Sequence, residues 1–219
     1  MGYQVPDTIT DSVYLHLKQD IIDGKFKQSE RMREREIAQS FNVSITPVRE
    51  AFKILSGEGY LKITPRKEVI VADVTLRDID ELFQVIGVLD VYAIMKSFDK
   101  ISSDDIDIVA EMTARLGRYV KTHKISAYVK QNLLIHEEFW KITGNDILYQ
   151  SLMNLAEKSI FFSNRFFSLI DNPSFLKKSL KDHLDIIEVL KSRDRARLQS
   201  ILTAHWGSEI LDVASDLES

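Results

Sequence analysis

The chain contains no cysteine among its 219 residues. This absence excludes disulfides, thiolate zinc sites and cysteine nucleophiles, and it is compatible with a reducing compartment. No apolar run approaches the roughly 18–20 residues that a membrane span requires, so no membrane partner is expected. The first residues lack a basic segment followed by an apolar stretch, so no signal peptide is expected either. We therefore expect a cytoplasmic globular protein, in line with its 44% apolar and 28% charged composition.

Glycine and proline are scarce, with 8 and 4 residues, and they concentrate in the first third of the chain. After Val74 only four glycines and one proline remain. So few helix breakers over so long a stretch indicate a helical body. We place the domain boundary there, with residues 1–74 in a first domain, residues 75–219 in a second, and Thr75 as a helix N-cap.

Positive charge shows no overall excess: 29 Lys and Arg stand against 33 Asp and Glu, a net charge of −4. Taken whole, this balance argues against a nucleic-acid binder. The charge is uneven, however, because residues 24–67 hold ten basic and five acidic residues, whereas residues 75–219 hold 18 basic and 22 acidic. A basic head thus precedes an acidic body, although charge alone does not distinguish this pattern from chance.

The apolar spacing predicts the secondary structure of both parts. In the head it predicts helices over 10–23 and 33–41, a tight turn, and a third helix that Ser44 or Thr46 caps and Gly57 ends. Two β-prone runs, 60–64 and 69–71, then form a hairpin with a basic tip. The body is predicted as six helices of an antiparallel bundle: 75–99, 102–122, 126–143, 146–170, 173–192 and 195–217. The expected fold class is mainly α, with an N-terminal winged helix–turn–helix.

A helix–turn–helix places its second helix in the major groove, so outward residues near that helix's start are candidate DNA contacts. Arg49 suits a bidentate contact to guanine, and Thr46 suits a base edge or a phosphate. Ser44 and the free N–H groups at the helix start suit a phosphate. Further candidates are Arg35, Lys53, Arg66 and Lys67. Spacing alone does not distinguish these contacts from ordinary solvated charges.

The exact amino-acid sequence of this segment is more specific than its spacing. Arg35-Glu36-Ile37-Ala38, the string VSITPVREAF over 43–52, and Glu58-Gly59-Tyr60-Leu61 resemble the winged helix–turn–helix of the GntR family of bacterial transcription regulators. The resemblance implies binding of an inverted-repeat operator as a dimer, with contacts from Arg35, Ser44, Thr46 and Arg49. Two positions depart from the family: Ile45 replaces a basic residue and Glu68 replaces a wing-tip glycine. We expect Ile45 to alter base preference and Glu68 to repel phosphates.

Three of the five histidines sit where they can meet. His136 lies one turn after Asn132 on a predicted helix, so both point to one face. His183 and His205 are about equally far from the joint at 192–194 between two successive helices. Three neutral imidazoles that converge can hold Zn²⁺, Ni²⁺ or Mn²⁺. For any one of them taken singly, an ordinary core histidine is the favoured interpretation.

The body resembles the FCD domain, the helical effector domain of FadR-type regulators, in its six-helix VanR-like form. The matching residues are Leu89-Asp90, His136-Glu137-Glu138-Phe139, Gly144-Asn145 and the His183…His205 spacing. The resemblance implies a divalent metal held by Asp and three His, with Asn132 at the Asp position. It also implies a small carboxylate effector beside the metal, for which Arg165, Tyr128 and Asp90 are candidate contacts.

The sequence therefore predicts a ligand-responsive DNA-binding regulator, a repressor by family habit, and not an enzyme. A metalloenzyme is the rival interpretation, because three histidines with an open coordination position also form catalytic zinc sites. Glu137 or Asp90 would then be the general base. A helical interaction module with a structural metal is a third.

Overall fold

The computed structural model describes residues 8–66, 68–166 and 174–206, without the side chains of residues 165, 166, 174 and 175. The described chain divides into two compact units between Val74 and Thr75. Each unit has its own buried core.

The first unit contains three helices, α1 Ile9–Ile22, α2 Glu34–Phe41 and α3 Ile45–Gly57. Thr8 caps α1 by accepting a hydrogen bond from the Asp11 N–H. The apolar stripe of α1 packs against that of α3 and buries both. The stripe residues are Val13, Leu17 and Ile21 of α1 and Val48, Phe52 and Leu55 of α3. This packing fixes the orientation of α3 and leaves its opposite face to solvent.

The wing is a three-stranded antiparallel sheet of β1 Arg31–Met32, β2 Leu61–Ile63 and β3 Val69–Val71, in the order β1-β3-β2. The hairpin register pairs Leu61 with Val71 and Ile63 with Val69. The predicted hairpin is thereby confirmed. Strand β1 was not predicted, because two residues are too few to show an alternating pattern.

The described residues of the second unit form six helices joined by turns. Its helices are α4 Leu76–Ser97, α5 Ser103–Lys121, α6 Ile125–Ile142, α7 Asp146–Phe166, α8 Ser174–Ser192 and α9 Arg195–His205. Capping boxes start two of them, Thr75 with Asp78 at α4 and Ser102 with Asp105 at α5. The mainly helical fold class is confirmed. For each of the last three helices, one predicted end falls within 167–173 or 207–217, outside the described residues.

Helix α6 occupies a central place in this unit, since it packs against α4, α5 and α7. Its Phe139 and Trp140 are among the largest fully buried side chains of the protein. Helices α8 and α9 pack against each other and complete the core beside α5 and α4. Among the described helices, none is long and apolar enough to cross a membrane.

Candidate nucleic-acid interface and candidate metal centre

The turn between α2 and α3 is closed by Asn42, which adopts the left-handed conformation at φ 53°. The N–H of Val43 then bonds to the carbonyl of Ala38, which completes the turn. Ser44 is the N-cap of α3, but its side chain makes no capping hydrogen bond. The Ser44 hydroxyl and the first N–H groups of α3 therefore face outward at a helix N-terminus, where an anion is favoured.

The candidate DNA contacts of the head are exposed wherever the structure describes them. The exposed residues are Arg35, Ser44, Thr46, Arg49, Lys53 and Arg66. Lys67 lies outside the described residues. Lys53 pairs with Glu50 on its own helix at 2.8 Å, an exposed contact that is easily exchanged for a phosphate. The half-buried Ile45 begins α3 beside these polar groups.

Arg49 forms a bidentate ion pair with Glu34, the first residue of α2. Arg49 Nε donates to Glu34 Oε1 at 3.0 Å and Nη2 donates to Oε2 at 2.8 Å. The hydrogen bond from Arg49 holds the pKa of Glu34 below its ordinary value. The sequence analysis missed this pair, because the two residues are 15 positions apart on different helices.

Glu68 also has a partner that the sequence did not reveal. Arg31 of β1 lies beside it, with Nη1 2.9 Å from Glu68 Oε1. The wing turn is closed by the Thr64 N–H on the Glu68 carbonyl at 2.8 Å. Because Arg31 offsets the carboxylate charge, the repulsion of phosphates that we expected from Glu68 is weakened.

In the second unit, α6, α8 and α9 bring His136, His183 and His205 together. One ring nitrogen of each lies within 4.8 Å of the others. Nε2 of His136 is 3.2 Å from Nε2 of His183, and these two side chains are almost completely buried. A separation of this size suits two nitrogens that bind one cation at about 2.0–2.1 Å each. The sequence spacing had predicted this convergence.

The hydrogen bonds behind the rings fix which nitrogen carries the proton. Nδ1 of His136 faces Asp90 Oδ1 at 3.0 Å, Nδ1 of His183 faces the Ser179 carbonyl at 2.7 Å, and Nδ1 of His205 faces Asp182 at 3.2 Å. Since these oxygens accept, each Nδ1 donates, and Nε2 is the nitrogen left to bind a cation. Nε2 of His136 and Nε2 of His183 face each other at 3.2 Å, so these two nitrogens either share one proton or bind one cation between them.

Burial keeps two of these rings neutral. It lowers the pKa of His183 well below its usual value, and the two neighbouring histidines lower it further. Burial also lowers the pKa of His205, although the hydrogen bond to Asp182 opposes the shift. Neutral imidazole is the form that binds a metal, so the donor set fits a divalent cation.

Asn132 supplies a further observation in favour of this fit. Its Oδ1 is buried and has no hydrogen-bond partner among the residues that the structure describes. A buried acceptor without a partner is costly. The atom lies on α6 one turn before His136, on the same face of the helix. An amide oxygen is an acceptable, neutral ligand for such a cation.

Asp90 lies behind His136 and is fully buried. Its Oδ1 accepts from His136 Nδ1 and from the Trp140 indole at 2.6 Å, and its Oδ2 accepts from the Trp206 indole at 2.8 Å. Burial opposes its ionisation, but the interaction with His136 and the three hydrogen bonds outweigh burial and lower the pKa of Asp90. We expected Asp90 to contact an effector; because its oxygens are already committed, we assign it instead to positioning His136.

The other predicted residues of the body are placed as follows. The Tyr128 hydroxyl is buried and bonds to the Leu176 carbonyl at 3.3 Å, and burial raises the pKa of Tyr128. Arg165 is on α7, but its side chain lies outside the described residues. Glu137 accepts from the Tyr149 hydroxyl at 2.8 Å and pairs with Lys141. Neither Glu137 nor Asp90 is therefore a free base beside the histidines, contrary to the metalloenzyme interpretation.

Three polar groups of the second unit that the sequence analysis did not single out are buried without a partner among the described residues. They are Oγ of Ser97 on α4, Oγ1 of Thr113 on α5 and Nε2 of Gln131 on α6. All three helices contribute to the core of this unit. No sequence signal distinguishes such groups from ordinary core polar residues, because the missing partner shows only in three dimensions.

Comparison with known proteins gives the same division of the chain. Residues 9–71 match the family described as "Bacterial regulatory proteins, gntR family", and residues 81–208 match the FCD domain. The chain is 24% identical to the uncharacterized HTH-type transcriptional regulator YdhC of Bacillus subtilis, over 90% of this chain and 87% of that protein. It is also 24% identical to the gluconate operon transcriptional repressor of B. subtilis, over 94% and 84%.

Solved structures share the fold. Escherichia coli McbR/YncC superposes with a TM-score of 0.75 at 20% identity, covering 96% of this chain and 99% of that one. The Lar regulator of Listeria monocytogenes superposes with a TM-score of 0.64 at 16% identity, covering 95% and 97%. At these identities the likeness extends to the architecture and not to the ligands.

Proposed function

Since the chain belongs to the GntR family of bacterial regulatory proteins and carries an FCD domain, we propose that it is a ligand-responsive repressor that binds an inverted-repeat operator as a dimer. DNA binding through the head and regulation of transcription are the common property of this family. The observation that carries the proposal is the exposed, uncapped N-terminal end of α3, flanked by Arg49 and Lys53. Operator binding also places the protein in the cytoplasm.

We assign residues 1–74 to DNA binding. The individual contacts are assigned as follows. Arg49 reads a guanine, Thr46 reads a base edge or a phosphate, and Ser44 with the α3 N-terminus holds a phosphate. Ile45 packs against a thymine methyl group. Arg35, Lys53, Arg66 and Lys67 add contacts to the sugar–phosphate backbone, which supply most of the affinity and its dependence on salt.

A dimer is supported by an apolar stripe on the outer face of α4. Val85, Val88 and Tyr92 are 49%, 72% and 54% exposed, and they recur at helical spacing. Exposed apolar side chains that follow one another on a helix face favour association. Pairing of two copies through this stripe would hold two heads at a fixed spacing, as an inverted repeat requires.

The body, residues 75–219, is proposed as the sensor. His136, His183 and His205 would hold a divalent metal of the Zn, Ni or Mn class, with Asn132 as a fourth, neutral ligand. Such a cation would offer an open position to a carboxylate. Thr113 and Gln131, whose buried polar atoms have no partner among the described residues, are candidate contacts to a small polar effector. Arg165 and Tyr128 remain weaker candidates for the same role.

Regulation follows if the effector binds more tightly to one spacing of the two heads than to the other. Helix α4 is suited to transmit the difference, because it supplies Asp90 to the histidine cluster and begins directly after the domain boundary. An effector that pulls on the cluster shifts α4, and thereby the heads.

Fluorescence anisotropy on the full-length dimer tests the DNA-binding assignment, with an operator selected from a random duplex pool. Arg49→Ala should weaken operator binding by about 1–3 kcal/mol and relax the preference at one base pair. Arg77→Ala is the matched control, because Arg77 is an exposed arginine at the start of α4, outside the head. Selection of no preferred sequence, or equal losses in both variants, would contradict the proposal.

A further inference from the structure

The guanidinium of Arg49 has two hydrogen-bonding edges, and Glu34 uses only one of them. The side edge, formed by Nε and Nη2, is bonded to the two oxygens of Glu34 at 3.0 and 2.8 Å. The end edge, formed by Nη1 and the outer N–H of Nη2, is left for another acceptor pair. The Arg49 side chain is 58% exposed, so this edge is accessible.

The ion pair links the two helices of the helix–turn–helix. Glu34 starts α2 and Arg49 lies in the second turn of α3. A bidentate contact of a planar guanidinium with a carboxylate fixes direction as well as distance. The Glu34 side chain is 30% exposed and thus more sheltered than Arg49. Without this contact a long arginine side chain samples many rotamers and loses entropy when it binds.

We propose that Glu34 is a positioning residue that determines base specificity by holding the end edge of Arg49 toward the major groove. The end edge matches O6 and N7 of guanine, a bidentate contact that discriminates about 5- to 150-fold between bases. This inference rests on the proposed operator binding through α3. Glu34 itself touches no base in this arrangement and acts through Arg49 alone.

Removing the charge of Glu34 distinguishes a positioning role from a purely electrostatic one. A carboxylate near the DNA backbone repels phosphates, so its neutralisation should strengthen binding to any duplex. If Glu34 also aligns Arg49, the same change should weaken the discrimination between the operator and other sequences. Affinity for an arbitrary duplex should then rise while the preference for the operator falls. A purely electrostatic role would raise the affinity without lowering the preference.

Glu36→Gln is the matched control for Glu34→Gln. Glu36 lies on the same helix, and its replacement by Gln removes the same charge. Its ion-pair partner is the exposed Arg33, whose Nη1 lies 2.6 Å from Glu36 Oε1, and not Arg49. Both variants should bind a scrambled duplex more tightly than the wild type. Only Glu34→Gln should lower the ratio of operator to scrambled affinity, by roughly tenfold, with the loss confined to the guanine that Arg49 reads. Circular dichroism of each variant checks that the head is folded.

A double-mutant cycle completes the test. In an Arg49→Ala background, Glu34→Gln should no longer change the ratio, because the group that it positions is gone. An unchanged ratio in Glu34→Gln alone, equal to that of Glu36→Gln, would overturn the inference while leaving operator binding intact. A wild-type protein without sequence preference would instead overturn the proposed function itself.

Discussion

Gly87 and Trp206 touch so closely that no side chain fits on Gly87. A Cβ atom at that position would lie 2.6 Å from Cβ and 2.9 Å from Cγ of Trp206. The Trp206 indole in turn donates to Asp90, whose other oxygen accepts from His136. The missing side chain on α4 therefore permits the contact that seats Trp206, at the end of α9, behind the histidine cluster.

Gly87→Ala should displace Trp206 and loosen Asp90, because two Cβ atoms cannot approach to 2.6 Å. Outer-sphere partners of metal-bound histidines are worth about 10–100-fold in metal affinity, and we expect a loss of that size for Zn²⁺. Calorimetric titration of the metal-free protein with Zn²⁺ measures this affinity. Both tryptophans donate to Asp90, so a change in their fluorescence should accompany the loss without any metal present.

Gly117→Ala is the control for this prediction. A Cβ there would lie 3.6 Å from Leu180 Cδ2, an ordinary contact, and Gly117 is inside helix α5. Alanine should leave Zn²⁺ affinity unchanged and stabilise the helix by about 0.5–1 kcal/mol. Equal Zn²⁺ affinity in the two variants would show that the position of Trp206 does not affect metal binding by the histidines.

His183→Ala should abolish co-purification of the proposed divalent metal. Nε2 of His183 is 3.2 Å from that of His136, so its loss removes one of three converging ligands. Elemental analysis of the purified variant measures the effect. His16→Ala is the control, since His16 is an exposed residue of α1 that bonds to its own helix. Equal metal contents in wild type and His183→Ala would discard the site.

Asn132→Asp should tighten metal binding. Oδ1 of Asn132 is buried without a partner among the described residues, and an ionised carboxylate in its place adds a negative charge to three neutral ligands. In the metal-free protein the same charge is buried and unpaired, so Asn132→Asp should be less stable until metal is added. Thermal unfolding with and without Zn²⁺ measures both effects. A variant that is equally stable with and without metal would place Asn132 outside the ligand set.

The histidine cluster was predictable from sequence because helical period and the short joint at 192–194 relate His183 to His205, and helical spacing put His136 on one face with Asn132. The partners behind the rings were not predictable. Asp90 meets Trp206 across 116 positions and His136 across 46. No periodicity encodes such pairs, which depend on how α4, α6 and α9 pack.

The head shows the same limit. Its helices and hairpin follow from local signals, namely apolar spacing, the turn at Asn42 and the breakers around Gly57. Strand β1 forms only because β3 offers an edge, with Arg31 opposite Ile70. The Glu34–Arg49 pair likewise depends on the angle between two helices, which the sequence alone does not specify.

The metal-free body should lose stability as the pH falls below about 6.5. Burial lowers the pKa values of His183 and His205 below 6.5, the value of an unperturbed histidine. Below about pH 6.5 the unfolded chain therefore binds more protons than the folded one, and stability must rise with pH through that range. Each ring contributes a slope of at most about 1.4 kcal/mol per pH unit, present between the unfolded value of 6.5 and the lowered folded pKa.

Urea unfolding in a chelator between pH 7.5 and 5.5 measures this slope, above the range in which most carboxylates titrate. Tryptophan fluorescence is the suitable signal, because Trp140 and Trp206, the only two tryptophans of the chain, both lie in the body. His183→Ala should reduce the slope, since one buried imidazole no longer resists protonation, whereas His16→Ala should not. A flat profile in the wild type would mean that the pKa values of these two rings are the same in the folded and the unfolded chain, and would contradict their burial as neutral imidazoles.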